Sequence, residues 1–406
     1  MEKKIIKYLK LIAIICVVIL IIEIGYIAYC AFFKQEPSIY FDGINSLDYT
    51  NSGYVTVGSN NDNDMKLEKA KITRYDAKKE KKFEKLFNKG YNSAFFGVVK
   101  DEDDYVAVGS YEATEKEHEQ SVRSALIAKF DKNGELLFDK DFQVLGDSKF
   151  SNVVVVDDGY IVCGQSVYEN MTLGFSNKGG AFLVKYSKDG KEIWRSNYGG
   201  NKSAIYNDLI VVDSNIYAVG KDALNVGIIS KYNLDGEHIG TTEYKYTDSL
   251  GFSSLVFMDD NLYVATAKEV GTDEKNDSEA MIVQYDMKLN YKKETVYKGR
   301  GMERFNRIIK DDSDNFVVIG TMTSVNKENE IFNYDGIIGK YDKDLKKIDV
   351  ITYGDEKDDY FTDIKLSDNG YLVIGYSSYE DGNYLSKFIN YSEALKVLEV
   401  EWWKLH

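Results

Sequence analysis

Few residues in this chain carry the chemistry of catalysis or metal binding. Histidine occurs three times (His118, His238, His406) and cysteine three times (Cys16, Cys30, Cys163). That is too few imidazole and thiolate ligands for a multi-His metal centre, and three cysteines build no disulfide framework. Carboxylates abound, 66 Asp+Glu against 51 Lys+Arg, for a net charge of −15. Such a chain is not a general nucleic-acid binder, because meeting phosphates takes a basic footprint. With so many acids, neighbouring pairs say little; Asp101-Glu102-Asp103-Asp104 reads as one solvated turn.

Asn61-Asp62-Asn63-Asp64 and Asp311-Asp312-Ser313-Asp314-Asn315 offer oxygen ligands, but neither completes a calcium loop with a late bidentate Glu. Ser187-Lys188-Asp189-Gly190 up to Trp194 is close to the Asp box of sialidases, with its glycine one residue early. Its Asp-Gly is better explained as a hairpin turn that needs φ > 0. Arg300, Arg304 and Arg307 fall in one repeat and do not suggest a three-arginine carboxylate clamp.

The most informative polar set is Ser46, Gly97, Asn152, Asp208, Ser254, Arg307 and Asp363. Each lies two residues after an aromatic or aliphatic residue that opens an internal repeat. If the first strand of each repeat lines a central channel, these residues form a polar ring with Arg307 as its one cation. Asn152, Asp208, Arg307 and Asp363 are therefore the candidate ligand-binding residues. No catalytic residue, metal or cofactor is expected.

The repeat itself is what positions this ring. A glycine column runs through Gly58, Gly109, Gly164, Gly220, Gly320 and Gly375, with Ala267 in the fifth copy, at spacings of 47 to 56 residues. Three apolar columns travel with it. Ile44, Phe95, Phe150, Tyr206, Phe252, Phe305 and Phe361 open the copies. Tyr75, Phe130, Tyr186, Tyr232, Tyr285, Tyr341 and Tyr391 sit in KYD-like strands, and Phe87, Phe142, Tyr198, Tyr244, Tyr297, Tyr353 and Trp403 follow. Each copy holds four short apolar or alternating runs between Asp, Asn and Gly clusters, which are strand and hairpin signals. Seven such copies predict an all-β fold, a seven-bladed β-propeller with four antiparallel strands per blade. The first copy begins with its own first strand and the last ends in its own fourth. Closure without a swapped strand is therefore expected, with Trp402 or Trp403 at the seam.

From each KYD aromatic to the next glycine column the count is 34 or 35, but from that glycine to its own KYD aromatic it runs from 12 to 22. Nearly all the length variation lies between strands two and three, on one face of the disc. Variable loops on a rigid scaffold are where binding is usually placed.

Residues 11–33, LIAIICVVILIIEIGYIAYCAFF, form an apolar run with Glu23 as its one charge. As a helix it would be roughly 35 Å long, enough to span a bilayer core. Lys3, Lys4, Lys7 and Lys10 precede it, so the positive-inside bias predicts a single-pass signal anchor. Residues 1–10 would then be cytoplasmic, 34–40 a linker and 41–406 an extracytoplasmic propeller. A cleaved signal peptide fits less well, because the run is long and no A-x-A site follows. A lipoprotein at Cys30 fits less well too, since Tyr29 stands where a small residue is expected. Removing the first 34 residues, with five Lys and two Glu, takes the charge from −15 to −18.

The third copy, DDGYIVCGQS followed by GGAFLVKYSKDGKEIWRSNYGG, resembles the SBBP-type bacterial β-propeller repeats, with kinship to PQQ-like repeats. The resemblance covers residues 44–403 and implies a propeller in the cell envelope without a fixed activity. PQQ-dependent dehydrogenases use adjacent cysteines and tryptophan-rich docking repeats; this chain has no such pair, and Trp194 is the only Trp in its column. The expectation is a non-catalytic binding or assembly module in the bacterial cell membrane. Its partner would be an envelope protein or cell-wall glycan, met through the variable face. The runner-up is a carbohydrate-active enzyme with Asp208 and Asp363 as acid and base at the channel mouth.

Overall fold

The computed structural model describes residues 42–402. Left aside are residues 51, 62–66, 114–122, 144–145, 168–179, 200–203, 223, 245–248, 271–276, 300, 326–330, 355–356 and 379–383. The expected membrane helix, its flanks and Trp403 lie outside the described residues, as does the side chain of Trp402.

Seven four-stranded antiparallel sheets, each made of consecutive strands, form the blades. Blade 1 covers residues 42–87, and blades 2 to 7 cover 93–142, 147–198, 205–243, 249–297, 303–353 and 359–402. No blade borrows a strand, as expected. Closure rests on packing of blade 7 against blade 1 through Ile44, Leu47, Tyr54, Tyr75, Ile374 and Phe388. Lys79 and Glu399 pair across the same seam, and Thr362 Oγ1 donates to the Ile44 carbonyl at 2.8 Å.

The three apolar columns meet at every other seam. The fourth-strand aromatic of one blade lies against the opening aromatic of the next, which meets its own KYD aromatic. Phe142–Phe150–Tyr186, with centroids 5.3 and 6.3 Å apart, and Tyr353–Phe361–Tyr391, at 5.9 and 6.4 Å, are examples. Tilted and edge-on contacts of this kind add to area burial. The columns are thus the glue between blades, and the seam clusters follow from them.

The glycine column has a separate cause. Each first strand carries a β-bulge at its opening residue, for instance between Tyr206 and Asp208 or Phe361 and Asp363. The bulge presses a carbonyl onto the second strand: a Cβ at Gly220 would meet the Ile205 oxygen at 1.7 Å, and one at Gly375 the Tyr360 oxygen at 2.0 Å. Only glycine fits there. In blade 5 the first strand has a further irregularity before Phe252, with Gly251 at φ +79°, and there Ala267 is accommodated.

The third-to-fourth strand turns repeat as well. Asp76, Asp131, Asn233, Asp286 and Asp342 each accept two backbone N–H groups through one side-chain oxygen, and Ser187 and Ser392 each accept one. The Asp-box lookalike at Ser187 is therefore one of seven equivalent turns. The third turn residue is left-handed throughout. Gly134, Gly190 and Gly236 make room for Phe83, Phe138 and Trp194 of the preceding blade, whereas Leu289, Leu345 and Leu395 fill the later seams themselves.

The gap between second and third strands runs from Lys221 to Gly227 in blade 4 but from Val167 to Gly180 in blade 3. The first-to-second turns on the opposite face stay short, such as Asp157–Asp158.

Candidate functional site

The bulge of each first strand places two successive residues opposite one on its partner. The second of the pair builds the ring anticipated from sequence, and Asn152, Asp208, Arg307 and Asp363 do come together around the channel. Asp363 Oδ2 accepts from Ser46 Oγ (2.9 Å) and Leu47 N (3.0 Å) of blade 1, while Oδ1 accepts from Ile364 N (2.9 Å). Asp208 repeats this toward blade 5, accepting from Ser254 Oγ (2.7 Å) and Leu255 N (3.2 Å), and also from Leu209 N (2.9 Å). Asn152 of blade 3 donates its amide to Asp208 Oδ1. Arg307 reaches both carboxylates, Nη1 to Asp208 at 3.8 Å and Nε to Asp363 at 3.5 Å.

Burial alone would pull the Arg307 guanidinium down, but the carboxylates of Asp363 and Asp208 outweigh it and hold the group above its usual value. One cation thus bridges two anions, each of which clips one blade to the next. Gly97 completes the circle, where a Cβ would press on the Asn152 backbone at 3.1 Å. Cys163 is buried beside the ring, and burial, with Asp208 nearby, pushes its thiol well above the ordinary value. Its sulfur is closed off from solvent.

Arg307 separates two spaces. Below it lies a cavity of about 440 Å³ running between the first strands past Asp48, Val154, Ile210, Phe257 and Lys365. Above it, on the face of the variable loops, a pocket of about 340 Å³ opens. The first bulge residue of each blade points here, a position sequence reasoning passed over: Asn45, Phe96, Ser151, Asn207, Ser253, Asn306 and Thr362. Asn45 and Asn207 donate to the carbonyls of Phe95 and Phe252 in the following blades, at 2.7 and 2.8 Å. The column is polar in every blade but one, a signal visible in the sequence beside the ring.

Around the pocket stand further residues that no column announced. Lys149 lines it with its ammonium 5.5 Å from the Phe96 ring centroid, and Arg304 donates to Ser253 Oγ at 2.9 Å. Lys221 lies along Gly251 and donates to Asn225 Oδ1 at 2.7 Å. Tyr360 and Tyr376 of blade 7 also line the pocket, with rings 5.0 Å apart, and Tyr334 lies 5.4 Å from Tyr360. Among the described residues no His, Cys, Asp and Glu cluster suited to a metal is found.

No protein-family model matches the chain, and no curated protein matches it in sequence. The SBBP-type resemblance therefore has no family model behind it; the comparisons show the fold. The periplasmic gluconolactonase of Pseudomonas aeruginosa is similar with TM-score 0.55 at 12% identity, over 90% of this chain and 95% of that one. The β-propeller domain of the Trilobed protease from Pyrococcus furiosus gives 0.48 at 7% identity, over 91% and 96%. The protein is a seven-bladed β-propeller.

Proposed function

We propose that this propeller is a membrane-tethered, extracytoplasmic binding module whose partner is an envelope protein or cell-wall glycan. The partner is met on the face that carries the loops between second and third strands. The observation that carries this reading is the concentration of length variation on that face, around the mouth of the upper pocket, while the opposite face keeps short turns. The lysine-flanked apolar run at residues 11–33 supports the tether. The repeat is read as a diverged SBBP-type unit.

Catalysis by Asp208 and Asp363 is the weaker reading. Both carboxylates accept hydrogen bonds from the neighbouring blade and face Arg307, an arrangement that holds the side chains fixed and commits their oxygens to the frame of the wheel. A general acid needs a proton and access to a leaving group.

Crosslinking of the full-length protein in intact cells, read by mass spectrometry, tests the proposal. Replacing residues 111–124 and 167–180 by short turns is expected to abolish crosslinks to envelope components. An unchanged crosslink pattern would reject the variable face as the binding surface.

A further inference from the structure

The upper pocket narrows the binding role proposed above, and the inference rests on that role. In a chain of net charge −15, Lys149 of blade 3 lines the pocket, Arg304 of blade 6 bonds its wall residue Ser253, and Lys221 of blade 4 packs along Gly251, two residues before that serine. All three are half-buried, and among the described residues none has a carboxylate at ion-pair distance. Their nearest partners are neutral: a phenyl ring, an amide oxygen and a hydroxyl. Elsewhere on this protein buried and half-buried cations do find acids, as Lys340 finds Asp311 and Lys129 finds Asp101 and Asp104.

Gathering cations without counter-ions is unfavourable in the free protein. Burial lowers the Lys149 ammonium below its usual value, and nearby Arg123 and Lys221 lower it further. Burial lowers Arg304, and burial with Arg304 lowers Lys221. An anion seated among them would relieve all three, so the cost of the arrangement becomes affinity. The remaining walls say what carries the anion. Tyr360 and Tyr376 contribute aromatic rings, and Ser151, Asn306 and Thr321 contribute hydroxyl and amide groups. At about 340 Å³ the space is at the small end of ligand sites, which run from about 300 to 1,000 Å³. A bare inorganic anion would leave the aromatic and hydroxyl walls unused. An extended acidic peptide would meet the repulsion of the surrounding acidic surface.

We propose that the pocket binds a single anionic saccharide unit. Its carboxylate or phosphate sits against Lys149, Lys221 and Arg304, its ring lies over Tyr360 and Tyr376, and its hydroxyls meet the polar bulge residues.

Isothermal titration of the full-length, detergent-purified protein tests this with sodium D-glucuronate and glucose 6-phosphate. Glucose, inorganic phosphate and hexaglutamate serve as comparators. At least one charged sugar is expected to bind, with glucose and inorganic phosphate at least about tenfold weaker. Lys149→Met and Arg304→Met should each weaken binding by about tenfold, Arg304→Lys by less, and Tyr360→Ala measurably. Thermal unfolding of each variant confirms that the fold persists. The proposal is overturned if neither charged sugar binds, if glucose binds equally, or if phosphate alone matches glucose 6-phosphate. It is equally overturned if hexaglutamate binds tighter, or if the charge-removing variants titrate like wild type. The wider role fails separately, because the loop-exchange crosslinks in cells are scored without any added sugar.

Discussion

Two levels of one channel use charge in opposite ways. At the ring, Arg307 stands between Asp208 and Asp363, and both carboxylates also bond the next blade. At the mouth above it, Lys149, Lys221 and Arg304 face neutral partners. The bulge produces the ring and the polar residues just above it, because it turns two successive residues inward where a regular strand would turn one; Lys149 and Arg304 stand one residue before the opening aromatics. A paired charge holds the wheel together. A charge left without its pair is available to something that arrives from outside.

The largest effect should come from breaking the ring. Arg307→Met leaves two buried carboxylates uncompensated, and its expected cost is about 3–5 kcal/mol in urea unfolding. Lys149→Met, at the mouth, should leave stability within about 1 kcal/mol of wild type. The sign follows from linkage: a folded-state value below the unfolded one means the fold disfavours the ammonium, so removing it relieves rather than harms. Equal destabilisation by the two variants would erase the distinction between the levels.

Next in size is a seam. Gly190 sits at φ +81°, and a Cβ there would lie 2.8 Å from the Phe138 ring. Gly190→Val should cost about 1–3 kcal/mol, of which a further Phe138→Ala change recovers only the steric part. A double variant as stable as wild type would show that the left-handed backbone matters little.

Acid sensitivity comes third. Although burial opposes it, hydrogen bonds from Lys188, Tyr160 and Lys129 hold the Asp101 carboxyl below its ordinary value. Lys340, Asn315 and Tyr371 do the same for Asp311 against the same burial. Their stabilisation is present above the unfolded value of about 3.9 and is lost as pH falls from there through the lowered folded values. Urea midpoints should therefore drop below about pH 4, and Asp101→Asn should flatten that drop. A variant with an unchanged acid limb would remove Asp101 from the account of acid unfolding.

The smallest effect is expected at closure. Lys79 and Glu399 pair with their side chains 30% and 54% exposed, so Lys79→Ala should change stability by about 0–1 kcal/mol. A larger loss would mean that the closing seam depends on this pair more than on the Tyr54, Tyr75 and Phe388 rings.

Most of this fold was legible because backbone and packing demand one residue type at one position seven times over. Gly220 and Gly375 answer a bulge carbonyl, Phe150 and Phe361 answer two aromatic neighbours, and the ring at Asp208 and Asp363 was found by counting from those aromatics. What the ring residues do was less legible, since Asp208 reads alike as an acid for chemistry or as a clip to Ser254. The mouth was hidden for another reason. Lys149 and Arg304 occupy a position that is Gly43, Ala94, Ile205 and Gly251 in other blades, and Lys221 comes from a second strand. No column carries them, and only closure of the wheel brings them together.

Thermal unfolding of the full-length protein with and without saturating sodium D-glucuronate tests the division between paired and unpaired charge most directly. Ligand that binds the native state raises its apparent stability. Wild type is expected to gain several degrees with glucuronate and none with glucose, while a Lys149→Met, Arg304→Met double variant starts at the wild-type midpoint and gains nothing. A double variant that unfolds early without ligand, or that is stabilised by glucuronate as fully as wild type, would contradict it.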